Sequence, residues 1–219
     1  MGYHLAGFEV VGVDLNPQPH YPFPFHRADA LTFPLEGYDA IHASPPCQVH
    51  TRKPSDWGRR RVHWPDHRDL VPPTRERLQA SGVPWVMENV PGAGLQAQLL
   101  LCGTHFGLPL IKHRLFEASW GMPMAPASCD HRKVYNPWQG EGRSAEAFRI
   151  AQGTPWIPSA GGASRKEGKT GDLYNALPPA YTEWIGRAML EVVKVRPKLY
   201  IQGTLWETLP SIGNAPDAG

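Results

Sequence analysis

The chain has 219 residues, of which 41% are hydrophobic and 19% charged, and its formal net charge is +2. This length suits one domain, or one domain with a small insertion, and the composition excludes a wholly disordered chain. The weak net charge excludes no binding partner, because phosphates are attracted by local clusters of positive charge rather than by the total.

The three cysteines and the hydropathy pattern indicate the compartment. The cysteines form no CxxC pair, so they give neither a disulfide framework nor a zinc signature, and we expect free thiols in a reducing environment. The sequence has no apolar run of transmembrane length, and its start lacks the features of a signal peptide. We therefore expect a cytoplasmic protein with no membrane partner.

The first half of the chain alternates apolar runs with a helix-capable segment. Residues 9–15, 38–43 and 85–90 are short β-branched or apolar runs that predict buried parallel strands. Residues 74–82 predict a helix before the third strand, with its glycine as the C-terminal stop. Strand, helix and strand at this spacing predict an α/β fold.

The second half is less regular. Residues 99–108 and 113–120 could add strands, and residues 181–195 have apolar side chains at helical spacing. A change of composition after residue 120 predicts an inserted subdomain. The predicted organisation is a main domain at 1–118, a small inserted region at 119–172, the return of the main domain at 173–195 and a poorly ordered tail at 196–219.

Two short motifs follow predicted strands. ASPPCQ at 43–48 places Cys47 behind two prolines, which fix the backbone and hold the thiol in one direction. A small buried hydrophobe is an equally common role for such a cysteine. ENV at 88–90 adds Glu88, a carboxylate that is costly at the end of a buried strand unless it has a task or a partner. Chemistry gathers at the C-terminal ends of parallel strands, so both side chains are expected in one crevice.

SPPCQ at 44–48 and ENV at 88–90 resemble, in order and separation, the two hallmark motifs of the cytosine-5 DNA methyltransferase family. The resemblance implies a Rossmann-like, S-adenosylmethionine-dependent methyltransferase sheet with a small inserted target-recognition subdomain. It implies that Cys47 adds to C6 of cytosine as a thiolate, and that Glu88 protonates or hydrogen-bonds N3. HRLF at 113–116 resembles the motif of a catalytic arginine, here Arg114, with Lys112 or His113 in place of the usual glutamine.

Further segments supply the implied binding residues. VGVDLNP at 11–17 resembles the segment that holds the cofactor ribose, RADAL at 27–31 the one near the adenine, and NALPPAYTEWIG at 175–186 the final motif of the family. The implied cofactor-binding residues are Asp14, Leu15, Asp29, Pro45 and Asn175. The implied substrate-binding residues are Ser44, Pro46, Gln48, Asn89, Arg52, Arg59 and Arg60. Asn89 is expected to anchor the Pro-Pro loop, although a plain structural cap is an equal alternative.

The segment after Cys47 favours a nucleic-acid partner. Residues 50–68 contain six Lys or Arg against two Asp, with two interleaved tryptophans. Positive charge suits phosphate and tryptophan can stack on bases, while a solvated surface loop is the alternative. The family's chemistry requires a cytosine flipped out of double-stranded DNA, which is the expected partner. The sequence indicates no oligomeric state.

The segment with which the family opens is missing from the sequence. The family opens with a strand and a Gly-rich FxGxGG turn, whereas this chain starts at a segment resembling the following helix. A coding start assigned too far downstream, a natural truncation and completion by a separate polypeptide would each explain this. Metal-ligand spacing is also absent: Cys129 and His131 lack two further spaced partners, and Cys102 reads as a core residue, so no metal site is predicted.

The main prediction is a DNA (cytosine-5)-methyltransferase of a bacterium or phage, in a restriction, protection or regulatory setting. A non-catalytic DNA-binding remnant and an enzyme that modifies a free cytosine nucleotide at C5 are the alternatives. Methylation of an adenine amino group is disfavoured, because that chemistry needs no thiol and typically resembles DPPY or NPPY rather than SPPC.

Overall fold

The structure is a computed structural model, and it describes residues 1–50, 68–132, 134, 145–158, 173 and 175–195. The described elements are, in chain order, α1 (Gly2–Leu5), β1 (Gly12–Asp14), β2 (Phe25–Arg27), β3 (Ile41–Ala43), α2 (Val71–Ala80), β4 (Trp85–Asn89), β5 (Leu99–Leu101), a 3-10 turn (Gly103–Phe106), β6 (Arg114–Ala118), α3 (Ala145–Gln152) and α4 (Pro179–Val195). The mixed α/β class predicted from the sequence is confirmed.

The described strands form two sheets. β1 and β2 pair in parallel, and a four-stranded sheet has the order β3-β4-β6-β5. Within it β3 and β4 are parallel, as expected, whereas β6 runs antiparallel to both of its neighbours. In the described part of the chain β1 and β3 each have a strand partner on one side only, so one continuous doubly wound sheet is not formed there.

Strand β4 is the centre of the core. All five of its residues are buried, and alternate side chains face opposite sides of the sheet. Val86 belongs to the cluster formed with β6 and α4, and Met87 to the cluster formed with α2. Each fully buried apolar side chain of this size contributes roughly 1.5–3 kcal/mol. By the same alternation Glu88 lies on the Val86 face and Asn89 on the Met87 face.

Helix α2 begins where the sequence allows it to. Two prolines occupy its first turn, where a missing N–H costs nothing, and the carboxylate of Asp69 accepts the N–H of Val71 at 2.9 Å. After its last residue Gly82 adopts a left-handed conformation with φ of 69°. The predicted helix at 74–82 is therefore confirmed, beginning three residues earlier and ending two residues earlier.

Helices α1 and α4 pack closely through glycines. A Cβ added at Gly186 would lie 2.8 Å from the Cβ of Ala6 and 2.9 Å from Cδ1 of Tyr3. A Cβ at Gly2 would collide with the side chain of Thr182 and the backbone of α4. These contacts hold Tyr3 against the face of the sheet that carries Glu88.

The predicted inserted region is described only in part. Its helix α3 buries Phe148 against Leu110 and Leu173, so this part of the insertion packs on the main domain. The basic segment after His50, including Arg52, Arg59 and Arg60, lies outside the described residues, as does the predicted tail at 196–219. Among the helices described here, none is both long enough and apolar enough to cross a membrane.

Candidate active site

The loop that carries Cys47 is fixed by a residue of the neighbouring strand. It leaves β3 at Ala43, and its first proline, Pro45, is buried while Cys47 is half-buried. Asn89, the last residue of β4, donates from Nδ2 to the carbonyl oxygen of Pro45 at 2.9 Å, and its Oδ1 accepts the N–H of Val90 at 2.8 Å. Asn89 therefore anchors the Pro-Pro loop, as the sequence predicted, and its amide is used by protein backbone.

Glu88 and Arg114 form an ion pair beside this loop. Nε of Arg114 lies 2.9 Å from Oε1 of Glu88, and the two side chains are only 15% and 8% exposed. The register explains the contact: Glu88 is opposite Phe116, so Arg114, two residues earlier on β6, projects from the same face. A second bond, from Nη1 of Arg114 to the carbonyl of His113 at 2.8 Å, fixes the guanidinium.

The electrostatics show that the predicted residues share one site. Burial raises the pKa of the Glu88 carboxyl, against the opposing effects of the Arg114 charge, a hydrogen bond from Ser44 and the Lys112 charge. Burial also raises the pKa of the Cys47 thiol, which Arg114 and Lys112 lower and Glu88 raises. The resting site therefore favours a thiol at Cys47. It also holds the pKa of the Glu88 carboxyl above that of an ordinary glutamate.

A chain of hydrogen bonds leads from Tyr3 to Glu88. The Tyr3 hydroxyl lies 2.7 Å from Nδ1 of His42, whose Nε2 lies 3.0 Å from Oγ of Ser44, and Ser44 bonds Glu88. Burial lowers the pKa of His42 to about 4, so its ring is neutral near pH 7 and can accept from Tyr3 while donating to Ser44. The sequence analysis missed Tyr3 and His42. A histidine inside the apolar run YDAIHA was the available signal.

Lys112 joins the site to the second half of the chain. It is 2% exposed, and its ammonium donates to Oε1 of Gln152 on α3 and to the carbonyl of Ala176. Its own carbonyl accepts the hydroxyl of Tyr181 on α4 at 2.6 Å. Burial lowers the pKa of Lys112 well below its usual value. The sequence analysis treated Lys112 only as a replacement for glutamine, because its partners are 40 to 69 residues away.

The predicted cofactor residues lie at strand ends and turns. Asp14 ends β1, half-buried, and its carboxylate accepts the N–H of Asn16 at 2.7 Å. Leu15 beside it is 62% exposed. Asp29 is exposed and accepts the N–H of Leu31 at 2.9 Å, and Asn175 is exposed before α4. Their cofactor role stays a prediction.

The remaining predicted substrate residues lie in the Cys47 loop. Ser44, Pro46 and Gln48 are all exposed, in contrast to the buried Pro45. Comparisons of the chain with protein-family models, with curated proteins and with solved structures found no match.

Proposed function

We propose that this protein is a DNA (cytosine-5)-methyltransferase, which transfers a methyl group from S-adenosylmethionine to C5 of a flipped cytosine through a covalent adduct with Cys47. One observation carries the proposal: the buried Glu88–Arg114 pair stands beside a half-buried cysteine at the C-terminal ends of two adjacent parallel strands. A nucleophile, a proton donor and a fixed cation are the three groups that addition to C6 requires.

The first step uses all three groups. The Cys47 thiol loses its proton to water, and the sulfur forms a bond to C6 while the electron pair of the C5–C6 double bond moves toward C5 and N3. A carboxyl with a raised pKa can give a proton to N3, which is the role of Glu88. Arg114 holds the Glu88 carboxylate and offers its remaining N–H groups to the O2 side of the base.

The later steps restore the enzyme. The cofactor would supply the methyl group that C5 acquires. Water then takes the C5 proton, the C5–C6 double bond re-forms as the C6–S bond breaks to return the thiolate of Cys47, and N3 returns its proton to Glu88. The chain of Tyr3, His42 and Ser44 positions the Glu88 carboxyl.

The cofactor would be held by Asp14, Leu15, Asp29, Pro45 and Asn175. Two observations fit this group. Asp14 offers carboxylate oxygens for ribose hydroxyls at the C-terminal end of β1, and the neighbouring Leu15 presents an exposed apolar side chain that an adenine ring would cover. The Rossmann-like sheet is part of the proposal. A further strand between β1 and β3 would join the two sheets, since each of these strands has one unpaired edge in the described part of the chain.

The test is adduct formation with a 5-fluorocytosine oligonucleotide duplex and S-adenosylmethionine, followed on a denaturing gel. Fluorine at C5 blocks the proton-removal step, so we expect a covalent complex that needs the cofactor and disappears in Cys47→Ser. The same assay with dCMP as acceptor separates DNA from a free nucleotide as substrate. Methyl transfer that persists in Cys47→Ser would contradict the proposal, as would salt-sensitive DNA binding without any transfer or cofactor binding.

A further inference from the structure

Four side chains with nitrogen or sulfur donor atoms converge near the start of β6, at a place distinct from the Cys47 site. Their donor atoms, one from each of Cys102, His113, Cys129 and His131, all lie within 4.8 Å of one another. Sγ of Cys129 lies 2.8 Å from Nε2 of His131 and 3.3 Å from Nε2 of His113, and Sγ of Cys102 lies 3.6 Å from Nε2 of His131. Two thiols and two imidazoles are the donor set of a Cys2His2 site.

The separations match the requirements of one tetrahedral ion. Zinc bonds of about 2.3 Å to sulfur and about 2.0–2.1 Å to nitrogen imply nitrogen–sulfur separations of about 3.6 Å. Two of the observed nitrogen–sulfur distances, 3.3 and 3.6 Å, lie near that value, and the third is 2.8 Å. Opening the shortest of these distances by about 0.8 Å, and drawing together those donor atoms that lie farther apart within the 4.8 Å limit, would complete the coordination sphere.

Burial alone does not explain the cluster. Cys102 is fully buried, but Cys129 and His131 are exposed and belong to a loop that follows residue 118 of β6 by more than ten residues. The rings of His113 and His131 are also only 4.9 Å apart, so the exposed loop brings its donor atoms both to a second imidazole and to the buried sulfur of Cys102. Thiolates and neutral imidazoles are the forms in which these side chains would bind a metal.

The surroundings hold the donors in place. The backbone N–H of His105 is directed at the sulfur of Cys102, whose own backbone N–H donates to Nδ1 of His105 at 3.3 Å. Oγ1 of Thr104 lies 3.6 Å from Sγ of Cys129 and accepts the N–H of Asp130 at 3.3 Å. N–H groups directed at sulfur and a hydroxyl that joins two ligand segments are typical of the outer shell of a metal–thiolate site.

We propose that Cys102, His113, Cys129 and His131 bind one Zn²⁺ in a closed structural site. Four protein ligands leave no open position, and a tetrahedral set of two sulfurs and two nitrogens favours zinc over the harder cations. The ion ties the turn after β5, the start of β6 and the loop at 129–131 to one point. It thereby fixes His113, the residue before Arg114, and the segment that leads into the inserted region.

The proposed site differs from the prediction of no metal made from the sequence, and it does not depend on the proposed function. The sequence analysis saw Cys129 and His131 but not their partners, because Cys102 and His113 are 27 and 18 residues earlier and follow no ligand spacing. Cys102, assigned to the core, is buried as expected, and its sulfur nevertheless faces the cluster.

The experiment measures metal in the full chain, purified under reducing conditions and dialysed against added Zn²⁺. We expect about one zinc per chain by elemental analysis, near-complete loss in Cys129→Ser and in His131→Asn, and retention in Cys47→Ser, the matched control for the third cysteine. The ligand variants replace exposed side chains, and circular dichroism verifies their folding. Wild-type protein without zinc, or Cys129→Ser with full zinc, would overturn the proposal.

Two further measurements separate zinc from a disulfide. Cobalt substitution should give the visible absorption of a tetrahedral ion and a thiolate charge-transfer band, both lost in Cys129→Ser. Alkylation of the folded protein should label Cys47 alone until a chelator removes the ion and makes the exposed Cys129 reactive. A Cys102–Cys129 disulfide that survives reductant and excludes the metal would overturn the site.

Discussion

His113 and Arg114 are neighbours in the chain, yet their side chains enter different sites. Arg114 joins the buried carboxylate of Glu88 beside Cys47, while His113 joins three other donors on the side of the inserted region. The first site combines groups of opposite charge, and burial raises the pKa values of its Glu88 carboxyl and Cys47 thiol. The second combines two thiols and two imidazoles, the proposed ligands of one ion. Adjacent residues at the start of β6 thus belong to two different sites. A substitution in one site tests whether the other site depends on it.

The largest expected effect is on the site of Glu88. Glu88→Gln keeps the shape and a hydrogen-bond acceptor for Arg114 but removes the exchangeable proton, so we expect methyl transfer to fall about 10²–10⁴-fold. The zinc content should not change. Rates are measured with labelled S-adenosylmethionine and duplex DNA.

Glu117 offers a matched control on the adjacent strand. It is also buried and bonds Arg75 through two contacts of 2.7 and 2.8 Å, but it lies on the face away from Cys47. Glu117→Gln should lower stability and leave the rate per folded molecule unchanged. Equal losses of rate in Glu88→Gln and Glu117→Gln would mean that Glu88 acts only through folding.

A smaller effect is expected at the metal cluster. Thr104→Val removes the hydroxyl that links the Cys129 loop to the 3-10 turn but keeps all four ligands, so zinc affinity should fall about 10–100-fold. Competition with a chromophoric chelator measures this change. Adduct formation with saturating zinc should be unaffected, since Thr104 contacts none of the groups around Cys47 in the described structure. Unchanged affinity would show that the hydroxyl does not support the ligands.

The two sites also differ in what the sequence could reveal. Cys47, Glu88 and Asn89 lie in short motifs at the ends of buried strands, where parallel pairing of β3 and β4 brings them together, so local patterns were sufficient. The cluster takes Cys102, His113 and the 129–131 loop from separate segments, and only the antiparallel β5–β6 pairing and the following loop unite them. The spacing of these four residues along the chain does not predict that they come together.

The secondary structure could likewise be predicted only where the sequence has a local pattern. The runs at 9–15, 38–43 and 85–90 became strands, and 181–195 became most of α4. Strand β2, only three residues long after a proline-rich stretch, gave no periodic signal and exists because β1 pairs with it. The run at 99–108 kept three strand residues, because the chain then closes a 3-10 turn that ends at Gly107 with φ of 69°.

The next prediction concerns the anchor of the Cys47 loop. Asn89→Ala leaves the buried carbonyl of Pro45 without its donor, which should cost about 1–3 kcal/mol of unfolding free energy in urea titrations. The loop would also lose its fixed direction, so the proposed adduct should form more slowly while zinc stays bound. An unchanged stability together with a normal adduct rate would mean that the Pro-Pro corner holds Cys47 without this bond.

The smallest expected effect is a difference between the wild type and Glu88→Gln in how the free energy of unfolding depends on pH. Burial raises the pKa of Glu88 above its ordinary 4.5, despite the positive charges of Arg114 and Lys112, while the Cys47 thiol and the Tyr3 hydroxyl also face it. The folded state therefore holds the proton more tightly than the unfolded state. Its stabilising contribution is complete below the unfolded pKa and is lost as pH rises through the folded pKa.

The expected signature is a stability difference that changes with pH in one direction. From about pH 4.5 upward the wild type should lose unfolding free energy relative to Glu88→Gln by at most about 1.4 kcal/mol per pH unit, and the difference should become constant above the folded pKa. Urea titrations of both proteins across this window measure it, and groups present in both largely cancel. A wild type that instead gains stability relative to Glu88→Gln as the pH rises toward about 4.5, and then shows a constant difference, would mean that the attraction of Arg114 outweighs burial. Glu88 would then be a fixed carboxylate with no proton to give to the base.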